Sequence, residues 1–230
     1  MRAAVIVFPG SNCDTDTHHA LTEVMGVRTD LVWHATPSLD GYDLVILPGG
    51  FSYGDYLRTG AMAAQARVMR AVREAANRGV PVLGICNGFQ ILLESGLLPG
   101  AMLPNSCVEF RCEWVHVRVE TRRTPFTESA DVGQVLRMPI AHGEGNYVAD
   151  ASTLDALHDN DQVVWRYTDA DGSRTAEANP NGSVGDIAGI CNAQGNVVGL
   201  MPHPERCSET ALGGTDGRMV WESVLARVTA

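Results

Sequence analysis

Gly84-Ile85-Cys86-Asn87-Gly88 places a thiol two residues from a glycine on either side, after an apolar run and before a helical pattern. This is the cysteine form of the nucleophile elbow, G-x-S/C-x-G. On a tight strand-to-helix turn the nucleophile's backbone is strained, and side chains two residues away would collide. Glycine removes that collision. The turn also sets Cys86 at a helix N-terminus, whose positive end favours thiolate. The N–H of Asn87 can then point at a developing oxyanion. The chemistry on offer is attack of a thiolate on an acyl carbon. The competing reading is a buried cysteine between ordinary turn glycines.

A nucleophilic cysteine needs a base, and the base needs an orienting partner. Two His-x-Glu pairs compete. One is His203 and Glu205 in Met201-Pro202-His203-Pro204-Glu205; the other is His142-Gly143-Glu144. In extended chain, residues i and i+2 point to the same side, so each pair can bring a carboxylate to its imidazole. Two prolines restrict the backbone around His203. His142 falls in a looser, Gly-rich stretch. Local backbone favours His203 without settling the choice.

Three other stretches carry reactive residue types. Pro48-Gly49-Gly50-Phe51-Ser52 follows a strand and suits a turn that presents backbone N–H groups to an anion or oxyanion. Cys13-Asp14-Thr15-Asp16-Thr17-His18-His19 has metal-ligand residue types but not zinc-site spacing. Its acids suit a helix start, so no metal is expected. Cys107 and Cys112 suggest no role.

These residues need elements to hold them. Ala3–Phe8, Val27–Trp33, Asp43–Leu47 and Val80–Ile85 read as strands, the first a continuous apolar run of the doubly buried kind. After a turn at Pro9–Asn12, helices are expected up to about Met25, from Leu57 to Gly79, over Gly88–Glu94 and over Gly217–Val228. In the second helix Leu57, Ala61, Ala64, Val68, Ala71 and Ala75 form one face. Alternation of this kind implies a parallel sheet covered by helices, with reactive groups at the carboxyl ends of its strands. The second half differs. Glu113–Glu120 and Gln162–Tyr167 read as half-exposed strands, and Ile187–Cys191 with Val197–Met201 as a hairpin. The fold expected is therefore α/β, a mostly parallel central sheet flanked by helices, with antiparallel strands in the second half. With no linker, repeat or low-complexity stretch, residues 1–230 are read as a single domain.

Composition removes several function classes. The formal net charge is −10, and all 17 basic residues are arginine. Without lysine there is no P-loop, Schiff-base or kinase-type lysine chemistry. An acidic chain is a poor nucleic-acid binder. No run approaches the roughly 20 apolar residues of a membrane span, and the opening residues lack a secretory pattern. The six cysteines, with no C-x-x-C, are read as reduced thiols of a cytoplasmic protein.

The motifs together resemble a known family. Gly84–Gln90 with Met201–Arg206 looks like a class I (triad) glutamine amidotransferase. Phe8–Asp14, Pro48–Tyr56, Ala141–Asn146 and Asn179–Ser183 are similar to the glutaminase subunits of phosphoribosylformylglycinamidine synthases. The resemblance runs from residue 5 to about residue 222. It implies a flavodoxin-like amidotransferase fold and hydrolysis of glutamine through a thioester, within de novo purine synthesis. It assigns Cys86 as nucleophile, His203 as base and Glu205 as orienter. The oxyanion hole falls to Gly50 or Phe51 with Asn87, and Gln90, His142 and Glu144 are candidate substrate contacts. The implied partners are a large synthetase subunit, which uses ATP and Mg, and a small accessory subunit. No cofactor is expected on this chain. Two other readings share the elbow: a different hydrolase or isomerase of the elbow-cysteine superfamily, and a regulatory subunit with an idle site.

Overall fold

The computed structural model describes residues 1–229. In chain order it contains β1 (Arg2–Val7), α1 (Asp14–His19), β2 (Arg28–Trp33), β3 (Leu44–Leu47), α2 (Val68–Asn77), β4 (Val82–Ile85) and α3 (Asn87–Glu94). There follow β5 (Ala101–Leu103), β6 (Arg111–Val119), β7 (Val135–His142), β8 (Asn146–Val148), α4 (Ala151–Asp159), β9 (Val163–Thr168), β10 (Ile187–Cys191), β11 (Val197–Leu200) and α5 (Arg218–Thr229).

Nine strands form one sheet in the order β2-β1-β3-β4-β11-β10-β9-β6-β7. The β2-β1-β3-β4-β11 half is parallel and the β11-β10-β9-β6-β7 half is antiparallel. The α/β expectation holds, including the antiparallel strands of the second half. The continuous apolar runs have the stated cause. Ala3–Ile6, Leu44–Leu47 and Val82–Ile85 are buried at every position, because helices cover both faces of a parallel sheet.

Four adjacent parallel strands, β1, β3, β4 and β11, end at the same edge. After them come, in turn, Pro9–Cys13, Pro48–Gly50, Cys86 and Met201–His203. Residues far apart in sequence thereby meet in one crevice, as the open α/β arrangement dictates.

Several local expectations change. The helix expected from Leu57 begins only at Val68. Tyr53, Asp55, Leu57 and Gly60 all have positive φ, which an α-helix does not accept. Residues 58–67 instead make turns and a short 3-10 helix over Ala63–Gln65, and the apolar spacing of α2 proper buries Val68, Ala71, Val72 and Ala75. The first helix reaches Met25 as expected, but its last part, Ala20–Val24, is a π-helix. The strand expected over Gln162–Tyr167 is not half-exposed. β9 lies between β10 and β6, and all six of its positions are buried. Even Arg166 is enclosed, held by Glu120 and the carbonyl of Gly185. Sequence reading missed β5, β7, β8 and α4. The first and third are three-residue strands, below the length at which period-2 patterning is visible.

Candidate active site

Cys86 sits between the last residue of β4 and the first of α3, with φ 50° and ψ −106°. That backbone is strained for a residue with a Cβ, at a cost of order 1–3 kcal/mol, and such strain concentrates at reactive positions. The neighbouring glycines permit it. A Cβ on Gly84 would lie 2.6 Å from the Gly88 carbonyl, and one on Gly88 would lie 1.9 Å from the Leu47 oxygen. The Cys86 N–H donates to the Leu200 carbonyl at 2.8 Å, which ties the elbow to the end of β11.

The end of β11 delivers the imidazole. His203 N–H donates to the Pro139 carbonyl at 2.9 Å, and Pro204 opens a short 3-10 turn carrying Glu205. That turn, rather than extended chain, brings the Glu205 Oε1 within 2.6 Å of His203 Nδ1. A carboxylate only accepts, so Nδ1 carries a proton in either charge state and Nε2 is the nitrogen left to exchange one. Both side chains are essentially inaccessible to solvent. Burial opposes charge on His203. The Glu205 carboxylate outweighs it, with the nearby Cys86 and Cys13 sulfurs, so the imidazole holds a proton well above the usual histidine range.

The other His-x-Glu pair is built differently. His142 is not in a loose loop: it ends β7 and is 3% exposed. Its Nδ1 meets Asn105 Oδ1 at 3.1 Å, not Glu144. The Glu144 carboxylate accepts instead from the Thr59 hydroxyl at 2.9 Å. Burial, and then the nearby His203, push the His142 imidazole down to about 4, so it is neutral. The two candidate bases therefore diverge: one is made basic by a carboxylate, the other is kept uncharged.

Beside the elbow lies the Pro48–Phe51 turn. Ser52 N–H donates to the Asn87 side chain at 3.1 Å, locking turn to elbow. Gly50 has φ +136°, and a Cβ there would lie 2.7 Å from the Asn12 nitrogen. Of the expected oxyanion donors, the Phe51 N–H is already given to the Gly10 carbonyl at 3.0 Å. Among the described residues no acceptor is paired with the N–H of Gly50 or of Asn87. The turn therefore leaves Gly50, rather than Phe51, able to meet an oxyanion.

A cavity of about 130 Å³ opens at Cys86 and is lined by Asp55, Thr59, Gln90, His142 and Glu144. Gln90 has both ends engaged: Oε1 accepts from Asn87 at 2.9 Å, and Nε2 donates to the Glu144 carbonyl at 2.6 Å. It holds the cavity wall. On the other side of Gly50, Phe51 and Ala141, a second cavity of about 260 Å³ is lined by Cys13, His203 and Arg206.

Cys13 was not assigned a role by sequence reasoning. Its sulfur, the His203 ring and the Glu205 carboxylate offer atoms within 4.8 Å of one another. Arg206 donates to the same sulfur at 3.1 Å, so positive charge already stands there. Asp55, Thr59 and Asn105 were also missed. The only sequence signal for Asp55 was its place in the quoted Pro48–Tyr56 motif.

A strained cysteine at a strand-to-helix elbow, backed by a His–Glu pair at the carboxyl edge of a largely parallel sheet, is the architecture of class I glutamine amidotransferases. Residues 1–216 match the family described as the CobB/CobQ-like glutamine amidotransferase domain, and the chain belongs to that family. It is 60% identical over 225 residues to the phosphoribosylformylglycinamidine synthase subunit PurQ of Moorella thermoacetica, covering 98% of this chain and 95% of that one. It is 55% identical over 229 residues to the same subunit of Methanosarcina acetivorans, covering 100% and 99%. Among solved structures it is similar to PurLQS from Thermotoga maritima, with a TM-score of 0.87 and 48% identity over 99% of this chain and 98% of that chain. A glutamine amidotransferase from the same organism shares the fold alone, with a TM-score of 0.58 and 18% identity, covering 100% and 92%.

Proposed function

We infer that this chain is the glutaminase subunit of a phosphoribosylformylglycinamidine synthase. It hydrolyses glutamine to glutamate and ammonia, and the ammonia serves amidine formation in de novo purine synthesis. The relatives' shared name supports the reaction, and the likeness to PurLQS supports work within a complex. The observation that carries the chemistry is the His203–Glu205 pair at 2.6 Å behind the strained Cys86.

In the mechanism we propose, His203 Nε2 takes the Cys86 proton and the sulfur attacks the glutamine side-chain carbonyl carbon. The oxyanion is met by the N–H groups of Gly50 and Asn87; one such donor is typically worth 10²–10³ in rate. His203 returns the proton to the leaving nitrogen, ammonia departs and a glutamyl thioester remains. Water, deprotonated by the same imidazole, then attacks that carbonyl, releasing glutamate and restoring the thiol. Glu205 fixes the tautomer and stabilises the imidazolium.

Two thiols reach His203, and physical considerations separate them. Cys86 heads α3, has the strained backbone and opens on the cavity that holds the acidic and amide groups. Burial raises the Cys13 thiol pKa above its ordinary value, and its sulfur is held by Asn12 and Arg206. We assign the nucleophile to Cys86. The acceptor chemistry belongs to the large synthetase subunit, which binds ATP and Mg, and a small accessory subunit completes the complex. The chain acts as one amidotransferase domain in the cytoplasm; none of its described helices is long and apolar enough to cross a membrane.

Treatment with an electrophilic glutamine analogue, followed by intact mass and peptide mapping, tests the assignment. One adduct on Cys86, blocked by glutamine, is expected. No adduct, either alone or with the synthetase subunit present, would place the chain among regulatory subunits with an idle site.

A further inference from the structure

The His203 imidazole is clamped at one nitrogen only. Glu205 Oε1 meets Nδ1 at 2.6 Å, whereas Nε2 is buried without a hydrogen-bond partner. The nucleophile does not hold it, because the Cys86 thiol is turned to the Ala141 carbonyl at 3.7 Å. Yet Nε2 must serve in turn the Cys86 sulfur, the leaving nitrogen and a water. The other group standing at the ring is Cys13, which the triad does not include. Its sulfur, a ring nitrogen of His203 and a Glu205 oxygen lie within 4.8 Å of one another. A Cβ built on Gly49 would lie 2.8 Å from His203 Cε1 and 3.0 Å from the Cys13 sulfur. Ring edge and sulfur thus face one small space, left open because residue 49 has no side chain.

Cys13 is fixed from several directions. It is 2% exposed. Its N–H donates to the Gly49 carbonyl at 3.3 Å, and its own carbonyl accepts from the Thr17 N–H at 3.0 Å and the Thr17 hydroxyl at 2.7 Å. The sulfur is oriented as well. Its S–H donates to Asn12 Oδ1 at 3.3 Å, and Arg206 donates to the sulfur at 3.1 Å. A thiol has one proton and a sulfur that accepts weakly through two lone pairs. With the proton at Asn12 and one lone pair at Arg206, the second lone pair is left for the imidazole. The Arg206 charge would repel an imidazolium, but Asp16 on α1 accepts from its Nε at 3.2 Å and offsets it. Burial pushes the Cys13 thiol up, so it stays protonated at neutral pH and does not compete as a nucleophile.

We propose that Cys13 is a positioning residue of the glutaminase reaction: its sulfur, oriented by Asn12 and Arg206, holds the His203 imidazolium in place between arrival of the Cys86 proton and its delivery to the leaving nitrogen. This rests on the glutaminase reading. The titratable and charged groups around the ring are Glu205 and Arg206 on its own turn, Cys86 at the head of α3, Cys13 before α1 and His142 at the end of β7.

The test measures glutaminase kinetics of the full chain assembled with its synthetase. In parallel, the His203 imidazole is titrated by NMR in the full chain carrying isotope-labelled histidine, its signal assigned through His203→Gln. Cys13→Ala is expected to lower kcat about tenfold, as loss of one hydrogen bond to a charged group does, with KM for glutamine within about twofold. The His203 titration should move to lower pH, because the charged ring loses an acceptor. Cys13→Ser restores an acceptor and should recover most of both effects. Loss of kcat with an unmoved titration would reduce Cys13 to a packing role and overturn the proposal. So would a Cys13→Ala protein with both readouts unchanged. If the wild-type complex does not hydrolyse glutamine, the glutaminase reading itself falls, while the titration still reports on the contact between Cys13 and His203.

Discussion

A Cβ placed on Gly88 would stand 1.9 Å from the carbonyl oxygen of Leu47. The end of β3 is thus pressed against the first turn of α3, and this contact sets the Pro48–Phe51 turn beside Cys86. Gly88→Ala cannot be accommodated without moving backbone, since the opposing atom is a main-chain oxygen. Overpacking of this severity costs about 3 kcal/mol or more. A lower unfolding temperature is expected in a thermal melt, with loss of Cys86 alkylation in whatever protein remains folded.

Glu205→Gln keeps the shape of the 2.6 Å contact with His203 but loses the charge. The amide then favours the wrong imidazole tautomer. Glutamine hydrolysis should fall about 10³–10⁴-fold in kcat, as for the equivalent change in other triads. KM for glutamine should move little, because neither residue lines the cavity that contains Asp55 and Glu144. A KM effect exceeding the kcat effect would contradict the orienting role.

The two thiols near His203 are separable by substitution. Cys86→Ala in the assembled complex should abolish glutamine-dependent amidine formation and leave the ammonia-dependent reaction at its wild-type rate. Cys13→Ala should retain glutamine-dependent turnover and the analogue adduct on Cys86. Steady-state rates with glutamine and with ammonium chloride distinguish the outcomes; the reverse pattern would move the nucleophile to Cys13.

Stability should depend on pH through His142. Its imidazole is held down to about 4 in the folded protein, against about 6.5 when unfolded. The unfolded chain therefore binds more protons between these values. The folded state keeps its full advantage above about 6.5 and loses it as the pH falls toward 4. The loss from this one residue is at most about 3 kcal/mol. Denaturant titrations across that range should show a steeper acid dependence in wild type than in His142→Gln.

Much of this protein was legible in its sequence, for local reasons. The runs Ala3–Ile6 and Leu44–Leu47 are apolar throughout because both faces of a parallel sheet are covered. The glycines around Cys86 are the signature of a strained turn that requires them. The His203–Glu205 pair is separated by one residue and stiffened by two prolines, so its carboxylate contact is also nearly local. Other features depend on contacts that sequence spacing does not encode. The choice between His203 and His142 turned on Asn105 and Thr59, which lie in loops far from either histidine in the chain. The expected helix at Leu57 yielded to turns and a short 3-10 helix, with Leu57 and Gly60 at positive φ, although the apolar spacing there mimics a helix face. The Phe51 N–H is taken by the carbonyl of Gly10, a contact between two loops that the spacing does not announce. The approach of Cys13 to the His203 imidazole arises only because β1, β3, β4 and β11 end side by side. Patterns within a few residues follow from backbone geometry and burial, whereas the charge state of a buried group is set by whichever distant residues the completed fold packs against it.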